Sequence, residues 1–386
     1  MKFSLFVLLA CAGVLAGREF DLTKHVPVYS KESGFGYEPG FAREEGKPFF
    51  FSVDVPEGNY RVTVKFGDKK FASDNTVFAE LRRLMIEQLH TAPGKFITRS
   101  FLVNVRQSGI VRINDREKTT EAWAWDNRLT LEFNGAHPAV THISIEPVDV
   151  PVLYLMGDST VCDQPREPFN SWGQMITRWI KPEMVVSNQA ESGESVSGAL
   201  SRGRLDKIWA SMKKGDFLFM QFGHNDMKST APDALERYTD DLRRVVDETR
   251  KRGGTIVLFT PVSRRSFDPS GKITNSFRGY PDAVKQVARE KEAPLIDLQE
   301  MGAAFYEAMG PDGSHRAFAN MQENTHHSDY GSYQIAKCVL EKVRELELKV
   351  PVSDEFTGFD PSKPDLFERF TLAKSPLVSN VTPLGN

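Results

Sequence analysis

Five residues between 159 and 326 have the groups that acyl transfer by a serine requires. Ser159, in "GDST", supplies a hydroxyl, and His326, in "ENTHH", supplies an imidazole that could take its proton. Glu323 precedes His326 by three residues, and a tight turn at this spacing places a carboxylate beside one ring nitrogen. Gly193, in "ESGES", and Asn225, in "GHND", could donate hydrogen bonds to the oxyanion, together with the backbone N–H of Ser159. The set predicts nucleophilic ester chemistry if the fold gathers it in one place.

The elements around these residues predict how they are gathered. Between 151 and 349, apolar runs alternate with helical stretches, which indicates a parallel sheet with helices on both faces. The predicted strands are "PVLYLMG", "EMVVSNQA", "DFLFMQFG", "TIVLFTP" and "APLIDL". Ser159, Gly193 and Asn225 follow the first three of them. In an open parallel sheet the ligand crevice lies outside the carboxyl ends of the strands, so these residues are expected to share one crevice.

Apolar and polar residues alternate differently in the first part of the chain. From 18 to 150, runs such as "YRVTVKFG" and "RLTLEFNG" alternate apolar and polar residues and are separated by Gly, Asn, Asp and Pro. This pattern predicts an antiparallel β-sandwich domain. The segment "NTVFAELRRLMIEQLH" fits either a helix or two short strands.

Both ends of the chain differ from these two parts. Residues 1–17 join Lys2 to a short apolar run that closes on small residues, which is typical of a signal peptide cleaved after Ala16; a lipoprotein-like site at Cys11 fits less well. The protein is therefore expected to be secreted or periplasmic, and Cys162 and Cys338 would remain, too few for a disulfide framework. Residues 350–386 are predicted to form an extended C-terminal arm.

Composition limits the partners. The 386 residues include 49 basic and 52 acidic side chains spread along the chain, a formal charge of -3, which gives no basic footprint for nucleic acid. No segment after the first one is long and apolar enough to predict a membrane helix. No GxxxxGK, GxGxxG, HExxH or CxxC motif marks a nucleotide, dinucleotide or metal site, so no cofactor is predicted.

At these motifs the chain resembles the SGNH (GDSL-type) hydrolases, and within them the rhamnogalacturonan acetylesterases. The resemblance rests on "GDSTV", "SGES", "QFGHND", "TPVSRRSFD" and "THHSDYGSYQIA", in that order between about 151 and 346. It implies a flavodoxin-like three-layer α/β/α domain with a five-stranded parallel sheet. It also implies hydrolysis of acetyl esters on a pectic polysaccharide. The strand-rich first half is similar in pattern to the galactose-binding-type sandwiches that accompany such domains.

One residue departs from the family pattern. The family has aspartate three residues before the histidine, whereas this chain has Glu323. The longer side chain can still reach the imidazole of His326 if the turn relaxes slightly, and Asp329 is the alternative acid.

Four arginines follow the strand ends and could pair with the carboxylates of uronate sugars. They are Arg202, Arg204, Arg264 and Arg265. An equally simple interpretation is that they are solvated surface residues.

Other functions remain open at this point. A metal hydrolase would use His326, His327 and Asp329, but adjacent histidines on a turn do not form a chelating face. A non-catalytic carbohydrate-binding protein is favoured only by the replacement at Glu323. Among esterases, xylan or another polysaccharide could be the substrate, and a lipase or thioesterase is a further alternative, because fold does not set the acyl group.

Overall fold

The computed structural model describes residues 17–379 and 382–383. The predicted signal peptide, apart from Gly17, lies outside these described residues. Among the described helices none combines the length and hydropathy that a bilayer crossing requires.

Two antiparallel sheets form the N-terminal part. One sheet has the order β1-β9-β4-β7 and the other the order β2-β3-β8-β5-β6. The strands are β1 Arg18–Asp21, β2 Phe35–Tyr37, β3 Phe49–Asp54, β4 Gly58–Phe66, β5 Ser73–Ala79, β6 Arg83–Thr91, β7 Ile97–Val105, β8 Arg128–His137 and β9 Val140–Pro147. Alternate residues of both sheets, such as Val62 and Phe133, are fully buried in one shared core. The predicted antiparallel sheets are therefore confirmed, and the likeness of this part to galactose-binding sandwich domains stays a prediction.

The ambiguous segment at 75–90 forms two strands. β5 and β6 pair in an antiparallel hairpin, with bulges near Val77. Glu80 and Arg82 in the turn adopt the left-handed region, with φ of 55° and 59°. Two non-glycine residues in this region indicate a turn that its surroundings hold in place. Between β7 and β8 the chain makes a short helix α1, Asp115–Thr119, and a 3-10 turn, Ala122–Ala124.

A five-stranded parallel sheet forms the second part, in the order β11-β10-β12-β13-β14. Its strands are β10 Val152–Gly157, β11 Val185–Asn188, β12 Phe217–Gln221, β13 Thr255–Phe259 and β14 Leu295–Ile296. β9 ends and β10 begins on either side of the boundary proposed at 150. The helices are α2 Trp172–Met175, α3 Val196–Ser201, α4 Arg204–Ser211, α5 Ala234–Lys251, α6 Tyr280–Glu290, α7 Leu298–Gly313, broken at Gly310, and α8 Asp329–Glu345.

Successive residues of β10 enter two different cores. Leu153 and Leu155 pack in the core that contains α8, and Tyr154 and Met156 pack in the core that contains α4, α5 and α6. Since adjacent side chains of a strand point to opposite faces, both faces of the sheet are covered by helices. The predicted three-layer α/β/α architecture is confirmed.

The strand order creates the crevice that the sequence predicts. β10 lies between β11 and β12, and the chain crosses from one side of β10 to the other after β11. Close packing at the end of β10 requires glycine, because a Cβ on Gly157 would lie 2.6 Å from the carbonyl oxygen of Gln221. The turn that follows carries Ser159.

Buried ion pairs join the sandwich to the α/β part. Arg82 Nη2 lies 2.6 Å from Glu167 and 3.1 Å from Asp329, and Arg83 Nε donates to Asp163 at 2.8 Å. The C-terminal arm also crosses the joint, since Ser375 Oγ donates to Glu132 of β8. The two parts therefore share a polar, buried contact next to the turn that carries Ser159.

Candidate active site

The structure brings Ser159 and His326 into direct contact. Ser159 follows β10, and His326 lies in the loop before α8. The Ser159 Oγ and the His326 Nε2 are 2.9 Å apart, a hydrogen-bonding distance. This pair can move a proton from the hydroxyl to the imidazole.

Glu323 orients the imidazole from its other side. One carboxylate oxygen, Oε2, accepts from the His326 Nδ1 at 3.1 Å and from the His326 backbone N–H at 3.1 Å. The Asn320 side chain accepts from the Glu323 N–H at 3.0 Å and so closes the turn. The extra methylene of glutamate is therefore accommodated within this turn, and the proposed order of serine, histidine and acid is present in space.

Hydrogen bonds join the loop of Gly193 both to Asn225 and to the end of β10. Gly193 lies in the loop after β11 with a φ of 79°, a conformation that glycine adopts without strain. Asn225 donates one amide hydrogen to the Glu194 carbonyl oxygen at 2.9 Å, which leaves its second amide hydrogen for a ligand. Within the described part of the chain, the N–H groups of Ser159 and Gly193 have no hydrogen-bond acceptor.

A second buried pair supports the serine turn, and sequence reasoning assigned it no role. Asp158 Oδ2 lies 3.1 Å from His224 Nδ1, and Asp158 Oδ1 accepts from the Thr160 N–H at 3.0 Å. Burial opposes ionisation of Asp158, but the charge and hydrogen bond of His224 lower its pKa below the ordinary value. Asp158 and His224 stand inside the motifs "GDST" and "GHND", directly before Ser159 and Asn225. This position beside predicted site residues is the sequence feature that could have indicated their role.

Exposure shows where a substrate reaches the site. Ser159 and His326 are 0% and 1% exposed. Gly193 is exposed and Asn225 is partly exposed. The solvent-open residues of the predicted site are therefore the two predicted oxyanion donors.

His327 and Asp329 belong to other contacts. His327 Nε2 and the Tyr306 hydroxyl form a hydrogen bond of 2.6 Å, and burial lowers the pKa of His327 to about 3, so its ring is neutral. Asp329 is held by Arg82 and by the Asn170 amide at 2.8 Å, so it does not serve as the acid for His326. Among residues 17–379 and 382–383, no group of three metal-ligating side chains is positioned to hold an ion.

The prediction needs correction at Arg204, and Arg202 and Arg265 have partners within the protein. Arg204 is fully buried and is paired with Glu117 and Glu194, so it cannot line an open crevice. Arg202 is paired with Glu194. Arg265 donates to the Pro311 carbonyl oxygen at 2.8 Å and contacts His315. These arginine side chains form ion pairs with carboxylates, or hydrogen bonds with a carbonyl oxygen, of the protein itself.

Arg264 is the remaining arginine of the four. Its guanidinium lies 5.4 Å from the ring centroid of Phe277, and that ring contacts His224 of the buried pair at 4.8 Å. The Arg264 Nε is buried without a hydrogen-bond partner. In the described residues no carboxylate pairs with Arg264, although it stands beside the Asp158–His224 pair. A half-buried cation is thus available next to the serine turn.

Comparison with known proteins gives the same picture. The model of the GDSL-like lipase/acylhydrolase family matches residues 155–332. The chain is 35% identical to rhamnogalacturonan acetylesterase RhgT of Bacillus subtilis over 220 residues, which is 53% of this chain and 94% of that protein. It is 32% identical to the probable rhamnogalacturonan acetylesterase YesY of the same organism, over 52% of this chain and 96% of that protein.

A solved structure extends the likeness to the sandwich. The crystal structure of YxiM from Bacillus subtilis, 21% identical, superposes with a TM-score of 0.53 over 87% of this chain and all of that chain. The superposed 87% of this chain is longer than its α/β part alone, so YxiM has the fold of both parts.

The parallel sheet and the serine–histidine contact at its crevice define the class of protein as an ester hydrolase of the α/β/α type. The chain belongs to the GDSL-like lipase/acylhydrolase family.

Proposed function

We propose that this protein is a carbohydrate acetylesterase that removes acetyl groups from pectic polysaccharide, with Ser159, His326 and Glu323 as its catalytic residues. The observation that carries the proposal is the 2.9 Å contact between Ser159 Oγ and His326 Nε2, with Glu323 on the other ring nitrogen. The relatives RhgT and YesY, named for acetyl esters of rhamnogalacturonan, support the substrate. The predicted signal peptide fits a polymeric substrate, which lies outside the cell.

The reaction follows from these contacts. His326 takes the Ser159 proton while Oγ attacks the acetyl carbonyl carbon, and the carbonyl oxygen becomes negative. The N–H groups of Ser159 and Gly193 and the Asn225 amide donate to that oxygen. The tetrahedral intermediate then expels the sugar oxygen, which takes the proton from His326. Water, deprotonated by His326, attacks the acetyl-enzyme and releases acetate and free Ser159.

The finer choice of substrate rests on Arg264. Galacturonate units carry a carboxylate, whereas xylan units are neutral, and an unpaired guanidinium favours an anionic ligand. Lys228 lies close to Arg264, since burial and then the charge of Arg264 lower the pKa of Lys228. A carboxylate of the sugar chain would neutralise this region.

The proposal is tested by acetate release from acetylated rhamnogalacturonan, acetylated xylan and 4-nitrophenyl acetate, with the wild type and Ser159→Ala. We expect release from the pectic substrate, and its loss in the variant. Equal release by both proteins would exclude Ser159 as nucleophile, and no release from any ester would favour the carbohydrate-binding alternative.

Arg264→Gln tests the choice between pectin and xylan. We expect kcat/KM on acetylated rhamnogalacturonan to fall roughly tenfold or more, because a charge-assisted contact is lost. The same variant should hydrolyse 4-nitrophenyl acetate within twofold of the wild type. Arg243→Gln, which removes a charge paired with Asp240 and Glu290 on the outer face of α5, is the matched control. An equal loss on both esters would assign Arg264 a structural role.

A further inference from the structure

The loop 189–195, here called the oxyanion loop, carries Gly193 and is held from one side by the crevice itself. The Glu191 N–H donates to the Gly157 carbonyl oxygen at 3.1 Å, and the Glu194 carbonyl oxygen accepts from the Asn225 amide. These contacts tie the oxyanion loop to β10 and to Asn225. The side of the loop that faces away from β10, here called its outer side, has no support from the described strands of the α/β part.

A segment of the N-terminal part covers that outer side. The chain between β7 and β8, residues 106–127, is here called the connecting segment, and it includes α1. The Arg112 N–H donates to the Arg202 carbonyl oxygen at 3.0 Å, so the two parts share a backbone hydrogen bond next to α3 and α4. Glu117 and Glu121, at 0% and 2% exposure, bring two carboxyl groups of this segment into the contact.

The guanidinium of Arg204 is buried among these carboxylates. Arg204 pairs with Glu117, its Nε lies 3.1 Å from Glu194, and its Nη2 lies 3.9 Å from Glu191. Both Glu191 oxygens are buried and receive no donor hydrogen bond from the described residues. The Glu121 carboxyl group is close enough to oppose ionisation of Glu191, and Arg116 lies 3.0 Å from Glu121.

Two carboxyl groups can form a hydrogen bond only if one of them carries a proton. Burial, opposed by the surrounding guanidinium groups, raises the pKa of Glu121 and of Glu191. Burial therefore favours the protonated form of a carboxyl group at this contact between the N-terminal part and the oxyanion loop.

We infer that Glu121 and Glu117 of the connecting segment are positioning residues for the oxyanion hole: the Glu121–Glu191 carboxyl pair and the Arg204–Glu117 ion pair hold the oxyanion loop from outside. This inference rests on the proposed function, in which Gly193 donates to the oxyanion. It gives the sandwich part a role in the chemical step that does not depend on binding a glycan. Loss of the pair should lower kcat with little change in KM, because the donors meet the oxygen only as it becomes negative.

Alkaline pH provides a readout that a purely structural contact would not give. Loss of the proton from the Glu121–Glu191 pair leaves two buried carboxylates close to each other, so the loop is expected to shift and kcat to fall. The charged and titratable groups around Glu191 come from every neighbouring element. They are Glu117, Glu121 and Arg116 of the connecting segment, Arg106 after β7, Cys162 after β10, Arg204 of α4 and Glu194 of the loop itself.

The experiment measures kcat of Glu191→Gln, Glu121→Gln and Glu191→Ala from pH 5 to pH 10. The substrate is 4-nitrophenyl acetate, a neutral ester whose hydrolysis does not need Arg264. Glutamine keeps a donor toward the partner carboxylate but does not titrate. We expect Glu191→Gln and Glu121→Gln to keep kcat within about threefold at pH 7 and to move the alkaline loss of kcat to higher pH. Glu191→Ala should lower kcat roughly tenfold to a hundredfold, since small misplacement of donors is costly.

Glu38→Gln is the matched control, because Glu38 is a buried carboxylate of the sandwich paired with Arg128 at 3.0 Å, away from the oxyanion loop. It should lower the unfolding temperature and leave kcat and its pH profile unchanged. The inference is overturned if the two glutamine variants lose kcat at the same alkaline pH as the wild type. This criterion does not depend on whether Glu191→Ala folds. That outcome differs from failure of the proposed function, in which the wild type itself would show no hydrolysis that depends on Ser159.

Discussion

Glu323 stands where the family pattern has aspartate, and one of its carboxylate oxygens makes both contacts with His326. Its Oε2 accepts both from the imidazole and from the His326 backbone, so the carboxylate is fixed on two sides. Glu323→Gln keeps the size of the side chain but presents a neutral group that cannot stabilise the imidazolium.

We expect Glu323→Gln to lower kcat on 4-nitrophenyl acetate by roughly 10³-fold to 10⁴-fold, as loss of the acid in such triads does. Glu323→Asp should retain measurable turnover, since the shorter carboxylate can approach His326 if the turn tightens. A glutamine variant with wild-type kcat would remove Glu323 from the triad.

At the scale of residues, the sequence predicts the groups whose chemistry is distinctive. Ser159, Gly193, Asn225 and His326 were found because each follows a predicted strand or precedes a predicted helix. Arg204 could not be placed in the same way, because its carboxylate partner Glu117 lies 87 residues away in a separate part of the fold. Long-range ion pairs leave no local pattern in a sequence.

At the scale of elements, the β5–β6 hairpin is the main contact between the two parts. Arg82 is 1% exposed and its guanidinium donates to the Phe169 carbonyl oxygen at 2.7 Å as well as pairing with Glu167 and Asp329. Phe169 in turn contacts the His326 ring edge-on at 6.0 Å. The hairpin thus supports the histidine side of the site.

Arg82→Met should destabilise the protein strongly, because it removes the buried cation of Glu167 and Asp329 and leaves them only the more exposed Lys374. We expect the free energy of unfolding to fall by about 3–5 kcal/mol, measured by urea denaturation. Lys47→Met, at an exposed pair with Glu44, should change it by less than about 1 kcal/mol. A loss of similar size in both variants would contradict a special role for the hairpin.

Element prediction succeeded where the period was clear and failed where it was weak. The parallel strands and α5, α6 and α8 follow their apolar patterns. The 75–90 segment was ambiguous because β5 is buried along nearly its whole length, so no alternation marks it as a strand. The helix α7 was not predicted, since Gly310 and Pro311 interrupt it and its apolar positions do not form one clear stripe.

At the scale of the whole molecule, buried carboxyl groups make stability depend on pH. Burial raises the pKa of Glu80 to about 8, and of Glu132 and Asp226 to about 7. In the unfolded chain these groups ionise near their ordinary values, so folding retains protons that the unfolded chain loses. Their contribution to stability is complete below about pH 4 and is lost as the pH rises through about 7 to 8.

We therefore expect the unfolding temperature of the wild type to fall by roughly 5 °C or more between pH 5 and pH 8.5, measured by calorimetry. Glu80→Gln, which can still accept from the Thr130 N–H, should reduce that fall. The exposed control Glu44→Gln should not. An identical pH dependence in all three proteins would contradict a protonated Glu80.

The arginines of the β5–β6 hairpin also bear on how such proteins can change over generations. A sandwich exchanged for one without arginines at 82 and 83 would leave Glu167, Asp329 and Asp163 buried without their main cations. Recombination at the short link between β9 and β10 would thus separate groups that depend on each other. The sandwich and the hydrolase part are expected to be inherited together, with substitutions on one side of the joint matched by substitutions on the other.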